Sequence, residues 1–410
     1  MKDMISDVIE ALNHDEVRNQ SRERKRTAKA QVSYEQTVEA ILCDLVHREL
    51  ELQGGSVFVS QSNQVLRRKS RYKGNALRKG LPGILKAMSL PELGFVSLTR
   101  GKAGYTGSDE GWAFTVQGRQ TVTAAGPRLL ALIEERGLDF ADIGRSDNEE
   151  VIILRGEKPR SDKQGPVIEY NDTEETNQLR AQLREINDWL QQANIRTDWT
   201  VSQDRRLRRI FNNSDFSQGG RLYGGFWQDM KGRDRVEGII IDDDSGVELD
   251  YGQTGLLLLY AAVGATPPDG DLYDLSESHI PLNCRPGIKK VIQAAINSSK
   301  PLKRMPKGTR LTVPKKFTLD MLMKAICKRH PAIAHCFGKG TGLRIMRQES
   351  DILVSVLLSL KAKGIVALPI HDAILVRADH GYEARQVMIE LFEQHTKLSP
   401  EVSMESYGPS

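Results

Sequence analysis

The sequence predicts an α+β protein with more than one domain, and three observations carry that prediction. Strand-like alternation and helix-period apolar stripes occur in both halves of the chain. A segment rich in charge, Gly and Pro (RGEKPRSDKQGPVIEYN, 155–171) divides them, and 410 residues exceed what one core organises. With 39% hydrophobic and 27% charged residues, collagen-like and disordered classes are excluded. Lysine and arginine outnumber aspartate and glutamate by only 58 to 54, so attraction to a polyanion must come from where the charges sit. Cys43, Cys284, Cys327 and Cys336 are few for this length, and no apolar N-terminal segment resembles a signal peptide. The longest uncharged apolar run, 255–264, is half the ~20 residues of a membrane span, so a cytoplasmic protein without a membrane partner is expected.

Taken in order, residues 1–32 end in a basic stretch around Arg22, Arg24, Lys25 and Arg26, and are expected as a mobile arm after a short helix. Ser33 and Gln36 match a capping box, followed by Val38, Ile41, Leu42, Leu45 and Val46 at helical spacing. Beyond Gly54-Gly55 the run SVFVS reads as a strand, and then comes the densest positive cluster: Arg67, Arg68, Lys69 and Arg71, with Tyr72 and Lys73. It suits either nucleic-acid phosphates or a solvated surface. The runs FVSL, WAFTV and TVTA within 95–124 predict a small antiparallel sheet, and PRLLALIEERG at 127–137 a short helix. These elements make an α+β accessory domain over 33–155, with the main boundary near 155–165 and a second domain over 165–410. There, Leu179, Leu183, Ile186 and Leu190 form one stripe of a helix from about 172 to 193. Arg205, Arg206, Arg208 and Arg209 fit either a template backbone or a solvated face.

Chemistry concentrates downstream. Ile239–Ile241 and Val247–Asp250 are two short strands around an acidic turn, Asp242-Asp243-Asp244, which reads as solvated. Alternation puts Glu248 and Asp250 on one face and Val247 and Leu249 in the core. A second hairpin lies at 365–376, where His371-Asp372 forms the turn between IVALPI and AILV. Two carboxylates on separate strands can hold two divalent ions ~3.5–4 Å apart for phosphoryl transfer. Between them, Arg285 and Lys289 stand at i and i+4 on a helix, one face that can grip a triphosphate. Cys327, His330, His335 and Cys336 are too irregularly spaced for a known zinc module and read as core cysteines beside surface histidines.

These residues resemble the family A DNA polymerases. The string DYGQTGLLLLYA (250–261) resembles motif A, D-Y-S-x-I-E-L-R, and PIHDAILV (369–376) resembles motif C, V-H-D-E-I. Arg285 and Lys289 resemble the R-x3-K of motif B. RQESDILVSVLLSL (347–360) resembles the helix before motif C, and Gly220-Arg221-Leu222 the T-G-R-L-S-S duplex contact. The resemblance spans about 210–400. It implies a right-hand polymerase core with an antiparallel palm sheet, helical fingers and thumb, and fingers inserted at about 270–345. It implies a template-dependent nucleotidyltransferase of DNA replication that extends primed DNA with dNTPs. Asp250 and Asp372 are then the catalytic ligands of two Mg²⁺ ions, with Mn²⁺ as a substitute. Tyr251, Gly255, Arg285 and Lys289 would meet the nucleotide, Arg221 the duplex, and His371 the primer terminus or Asp372 itself.

Departures from the family pattern carry their own expectations. Gly255 stands where the family has the Glu that excludes the ribose 2′-hydroxyl, Leu257 where it has Arg, and Gln293 where motif B has an aromatic. Phage-type single-subunit RNA polymerases resemble the chain in having Gly there, and their motif C reads H-D-S, near His371-Asp372-Ala373. Weak sugar discrimination and use of rNTPs follow. Nothing before residue 200 offers the paired acidic motifs of a proofreading exonuclease, so no editing is expected. Rival readings are a non-catalytic polymerase-like nucleic-acid-binding protein, and a primase or RNA polymerase that needs no primer. The sequence identifies no protein partner.

Overall fold

The computed structural model describes residues 1–405 apart from 21, 75, 103–104, 110–111, 117, 145–148, 160–163 and 198–203. The chain divides between Glu150 and Val151 into two units, each with its own core. Among the described residues, no helix is long and apolar enough to cross a membrane.

The first unit runs α1 (Lys2–Arg18), α2 (Ala28–Glu51), β1 (Ser56–Val59), α3 (Asn63–Arg67), α4 (Leu81–Met88), β2 (Val96–Thr99), β3 (Tyr105–Asp109), β4 (Trp112–Val116), β5 (Thr121–Ala125) and α5 (Pro127–Glu135). Strands β1, β5 and β2 form an antiparallel sheet in that order, and β3 pairs with β4. The stretch expected as an arm is instead docked. Met4, Val8 and Leu12 recur every fourth residue along α1 and are buried in the core that α2 lines. Arg26 stacks on Tyr34, 3.7 Å from the ring centroid, and pairs with Glu16. Helix α2 also begins earlier than the Ser33 capping box implied, because Thr27 accepts the Ala30 N–H at 3.3 Å. Ser33 and Gln36 are left to accept hydrogen bonds from Arg78.

The second unit contains β6 (Ile152–Leu154), α6 (Glu174–Gln192), β7 (Ile195–Thr197), β8 (Arg208–Asn212), β9 (Asp215–Tyr223), α7 (Gly232–Gly238), β10 (Ile239–Ile241), β11 (Asp244–Gly252) and α8 (Thr254–Ala262). There follow α9 (Arg285–Asn297), α10 (Leu319–Arg329), α11 (Gly342–Ala362), β12 (Ala367–Ile370), β13 (Ala373–Arg377), α12 (Gly381–Thr396) and β14 (Glu401–Glu405). The main sheet has the order β12-β13-β11-β10-β7, antiparallel throughout, and β14 pairs with β11 along the edge that β10 also occupies. A second sheet, β6-β8-β9, is mixed, with β6 parallel to β8.

Local chemistry explains why β9 sits where it does. Gly219 and Gly220 both adopt φ +86°, and a Cβ at Gly220 would lie 3.1 Å from the Phe211 ring. The Gly220 carbonyl accepts from Arg209 Nε at 2.8 Å and from the Ser350 hydroxyl, which ties β9 to β8 and α11. Arg209 is buried and ion-paired to Asp351 at 2.5 Å, and Arg205 donates to the carbonyls of Ala193 and Ile195 at 2.6 and 2.5 Å. These two arginines therefore neither track a template nor face solvent as expected; backbone carbonyls and the partly exposed Asp351 carboxylate claim their donors.

Candidate functional site

Two hairpins build the site. Along β11, Val247, Leu249 and Tyr251 are buried, while Glu248 and Asp250 alternate to the opposite face. Strands β12 and β13 are joined by the two-residue loop His371-Asp372, with Ile370 paired to Ala373 and His371 at φ +59°. The β11/β13 register sets Asp250 opposite Ala373, so Asp372 is the next residue along from the partner of Asp250. The ladder thus brings together two acids distant in sequence. Trp227 Nε1 and Gln228 Nε2 both donate to the Pro369 carbonyl at 2.9 Å, fixing the base of the hairpin.

The two acids act on each other electrostatically. Burial, and then the negative charge of Asp372, push the Asp250 carboxyl up to about 6, against the pull of Lys289. Among the described residues nothing hydrogen-bonds the Asp250 carboxylate, whereas Glu248 beside it is neutralised by Arg235 at 2.9 Å. No group of three or more His, Cys, Asp or Glu side chains is placed to hold a metal ion among the described residues. A pair of neighbouring carboxylates still fits a hard divalent cation such as Mg²⁺, which takes one or two carboxylates and completes its shell with water and substrate oxygens. An ion there would relieve the repulsion that lifts Asp250.

A third carboxylate adjoins the pair and was missed in the sequence. Glu349 of α11 is 7% exposed and receives Arg221 of β9 at 2.6 Å. Burial, then the charge of Asp372, push its carboxyl up to about 7 despite that ion pair. Its signal in the sequence is a lone acid on the apolar stripe Ile345, Ile352 and Val356. Tyr223, two residues after Arg221, meets the His371 ring edge-on at 5.9 Å.

The residues expected at a nucleotide divide. Lys289 lies near enough to Asp250 to lower its pKa, and Arg285 opens the same helix α9. Arg285, however, is engaged by Asp271, Nε to Oδ2 at 2.5 Å and Nη2 to Oδ1 at 3.2 Å, and stacks 5.1 Å from the centroid of Tyr273. Tyr251 requires correction: it is buried against Phe392, and its hydroxyl donates to the Met388 carbonyl at 2.7 Å, on the face away from Asp250. Gly255, in the first turn of α8, has nothing within 4 Å of where a Cβ would sit.

Other candidates are placed elsewhere. In the first unit, Arg67, Arg68 and Lys69 are exposed, but Arg71 pairs with Glu150 at 3.4 Å and Lys73 donates to the Leu66 and Arg68 carbonyls. Arg71 is thus a structural residue in this cluster. Asp243 of the acidic turn pairs with Arg196 at the surface. Both ring nitrogens of His330 are engaged, by the Tyr260 hydroxyl at 2.9 Å and the Leu272 carbonyl at 2.8 Å, which leaves no nitrogen for zinc.

Among solved structures, the chain is similar to the POL domain of Pol1 from M. smegmatis in complex with DNA primer-template and dNTP. That similarity has 12% identity and a TM-score of 0.34, and covers 56% of this chain and 50% of that one. This chain thus spans about half the length of the polymerase chain it matches. No protein-family model matches the sequence, and no curated protein matches it.

Proposed function

We propose that the second unit is a template-dependent nucleotidyltransferase of the family A DNA polymerase type, acting on primed DNA and nucleoside triphosphates. One observation carries the reading: Asp250 and Asp372, far apart in sequence, are brought together where β11 pairs with β13, Asp372 being the loop residue next to the partner of Asp250, with a repelled, unbonded carboxylate at Asp250. Support comes also from Lys289, which brings positive charge to the same place, and from Arg221 on β9 of the second sheet, whose charge Asp372 favours.

In this reading Asp250 and Asp372 are the residues that hold Mg²⁺ or Mn²⁺. When bound, the two ions supply a lowered pKa for the attacking hydroxyl and charge neutralisation for the leaving pyrophosphate. The protein's share is positional. Arg285 and Lys289 grip the triphosphate from one helix face, Arg221 and His371 approach the primer end, and the two-residue hairpin loop carries Asp372. Gly255 leaves space where a 2′-hydroxyl would lie, which favours acceptance of rNTPs beside dNTPs. Exposed Arg67, Arg68 and Lys69 add a salt-sensitive contact to nucleic-acid phosphates.

Primer extension with Mg²⁺ or Mn²⁺, comparing wild type with Asp250→Ala and Asp372→Ala, tests the reading. Extension by wild type and its loss of about a thousandfold or more in both variants is expected, since several kcal/mol of charge stabilisation vanish. Equal traces from all three proteins would leave only a nucleic-acid-binding role.

A further inference from the structure

We infer that Glu349 is a positioning residue that keeps Arg221 off Asp372, so that the carboxylate pair stays available to a divalent ion. The inference rests on the proposed metal-binding role of Asp250 and Asp372 and adds a residue that role does not include.

Its basis is geometric. Arg221 reaches a single oxygen of Glu349 twice, with Nε at 2.7 Å and Nη2 at 2.6 Å. Burying a carboxylate on the core stripe of α11 is costly, and a hydrophobic side chain of similar volume would pack there at no such cost. A local function is therefore the simplest reason for an acid at this position. Arg221 and Tyr223 share one face of β9, and Tyr223 touches His371, the residue before Asp372. The guanidinium thus pairs with Glu349 and also feels the charge of Asp372. Although burial opposes its charge, Glu349 and then Asp372 both favour it.

Arginine carries five donors in a rigid fork and never loses its charge, so it will pair with whichever carboxylate is offered. With Glu349 present, the fork is held at α11. Without it, Asp372 is the next anion that favours the charge of Arg221. Arg221 would then neutralise Asp372 and compete directly with the cation.

The test measures Mn²⁺ binding to the full chain by the electron paramagnetic resonance signal of free Mn²⁺, without nucleotide or DNA. Relative to wild type, Glu349→Gln should weaken Mn²⁺ binding by about tenfold or more, the usual scale for groups that orient metal ligands. Removing the competitor as well, in Arg221→Gln/Glu349→Gln, should return affinity to within about threefold of wild type, and Glu349→Asp should keep most of it. Binding by Glu349→Gln equal to wild type overturns the inference, as does a double variant as weak as the single one. Should Glu349→Gln alone not fold, the double variant decides, because it carries no stranded charge: lost Mn²⁺ binding there overturns the inference. Asp372→Asn separates the two levels. If it binds Mn²⁺ as wild type does, the metal reading itself falls; if it binds poorly while Glu349→Gln binds normally, only the role of Glu349 falls.

Discussion

Asp250→Asn should make the second unit more stable at neutral pH while abolishing activity. The Asp250 carboxyl is held at about 6 by burial and by Asp372, whereas an unfolded aspartate titrates near 3.9. About two pH units at ~1.4 kcal/mol each set an upper bound of ~3 kcal/mol, and screening of a partly accessible side chain reduces this to about 1–2 kcal/mol. The sign follows from which state loses its proton first. The unfolded chain ionises near pH 4 and the folded one resists, so the contribution to stability is complete below about pH 4 and is lost as pH rises through about 6. Asparagine keeps the shape and cannot ionise. Thermal unfolding without divalent ions should place Asp250→Asn about 2–6 °C above wild type at pH 7.5, converging with it at pH 4. Added Mg²⁺ should raise the wild-type midpoint and leave the variant's unchanged. A variant that melts at or below wild type at pH 7.5 would refute the electrostatic account of the site.

Three further outcomes follow from the same geometry. Gly255→Glu meets open space and a helical backbone, so it should fold normally and lower the rNTP-to-dNTP ratio of kcat/KM about tenfold or more, measured on one primed template; an unchanged ratio would mean the sugar is read elsewhere. Asp271→Asn frees the Arg285 fork from a partly exposed ion pair and should lower nucleotide KM about two- to fivefold, with no gain in an Arg285→Ala background; an unchanged KM would show that nucleotide does not compete for this fork. Tyr251→Phe loses the bond to Met388 and should cost about 1 kcal/mol in chemical denaturation while leaving nucleotide KM alone; a raised KM would return Tyr251 to the nucleotide.

What the sequence made legible was local. Period-two alternation placed Glu248 and Asp250 on one face, and the apolar runs around His371-Asp372 announced a hairpin, because strand geometry depends only on neighbouring residues. The same alternation, carried one residue further, puts Tyr251 beside Leu249 in the core; the resemblance to motif A drew it toward the nucleotide instead. Glu349, Asp271 and Arg209 acquire their partners through tertiary packing, at separations of 128, 14 and 142 residues, and a single sequence does not encode such pairings openly. The basic stretch near residue 24 lacks periodicity, yet α1 before it carries a clean stripe at Met4, Val8 and Leu12 that marks the face it buries.

The edge of β11 shared by β10 and β14 has a consequence for biosynthesis. Ser403, whose hydroxyl donates to the Asp250 carbonyl at 3.3 Å, lies 153 residues downstream of it. At ~5–20 residues per second of translation, the strand bearing Asp250 waits roughly 10–30 s on the ribosome before β14 exists. Through that interval the Glu248–Gly252 stretch offers unsatisfied amides and carbonyls to any passing strand. Nascent chains stalled between residues 260 and 400 should accordingly be the aggregation-prone ones, and a chaperone that shields strand edges should matter most there.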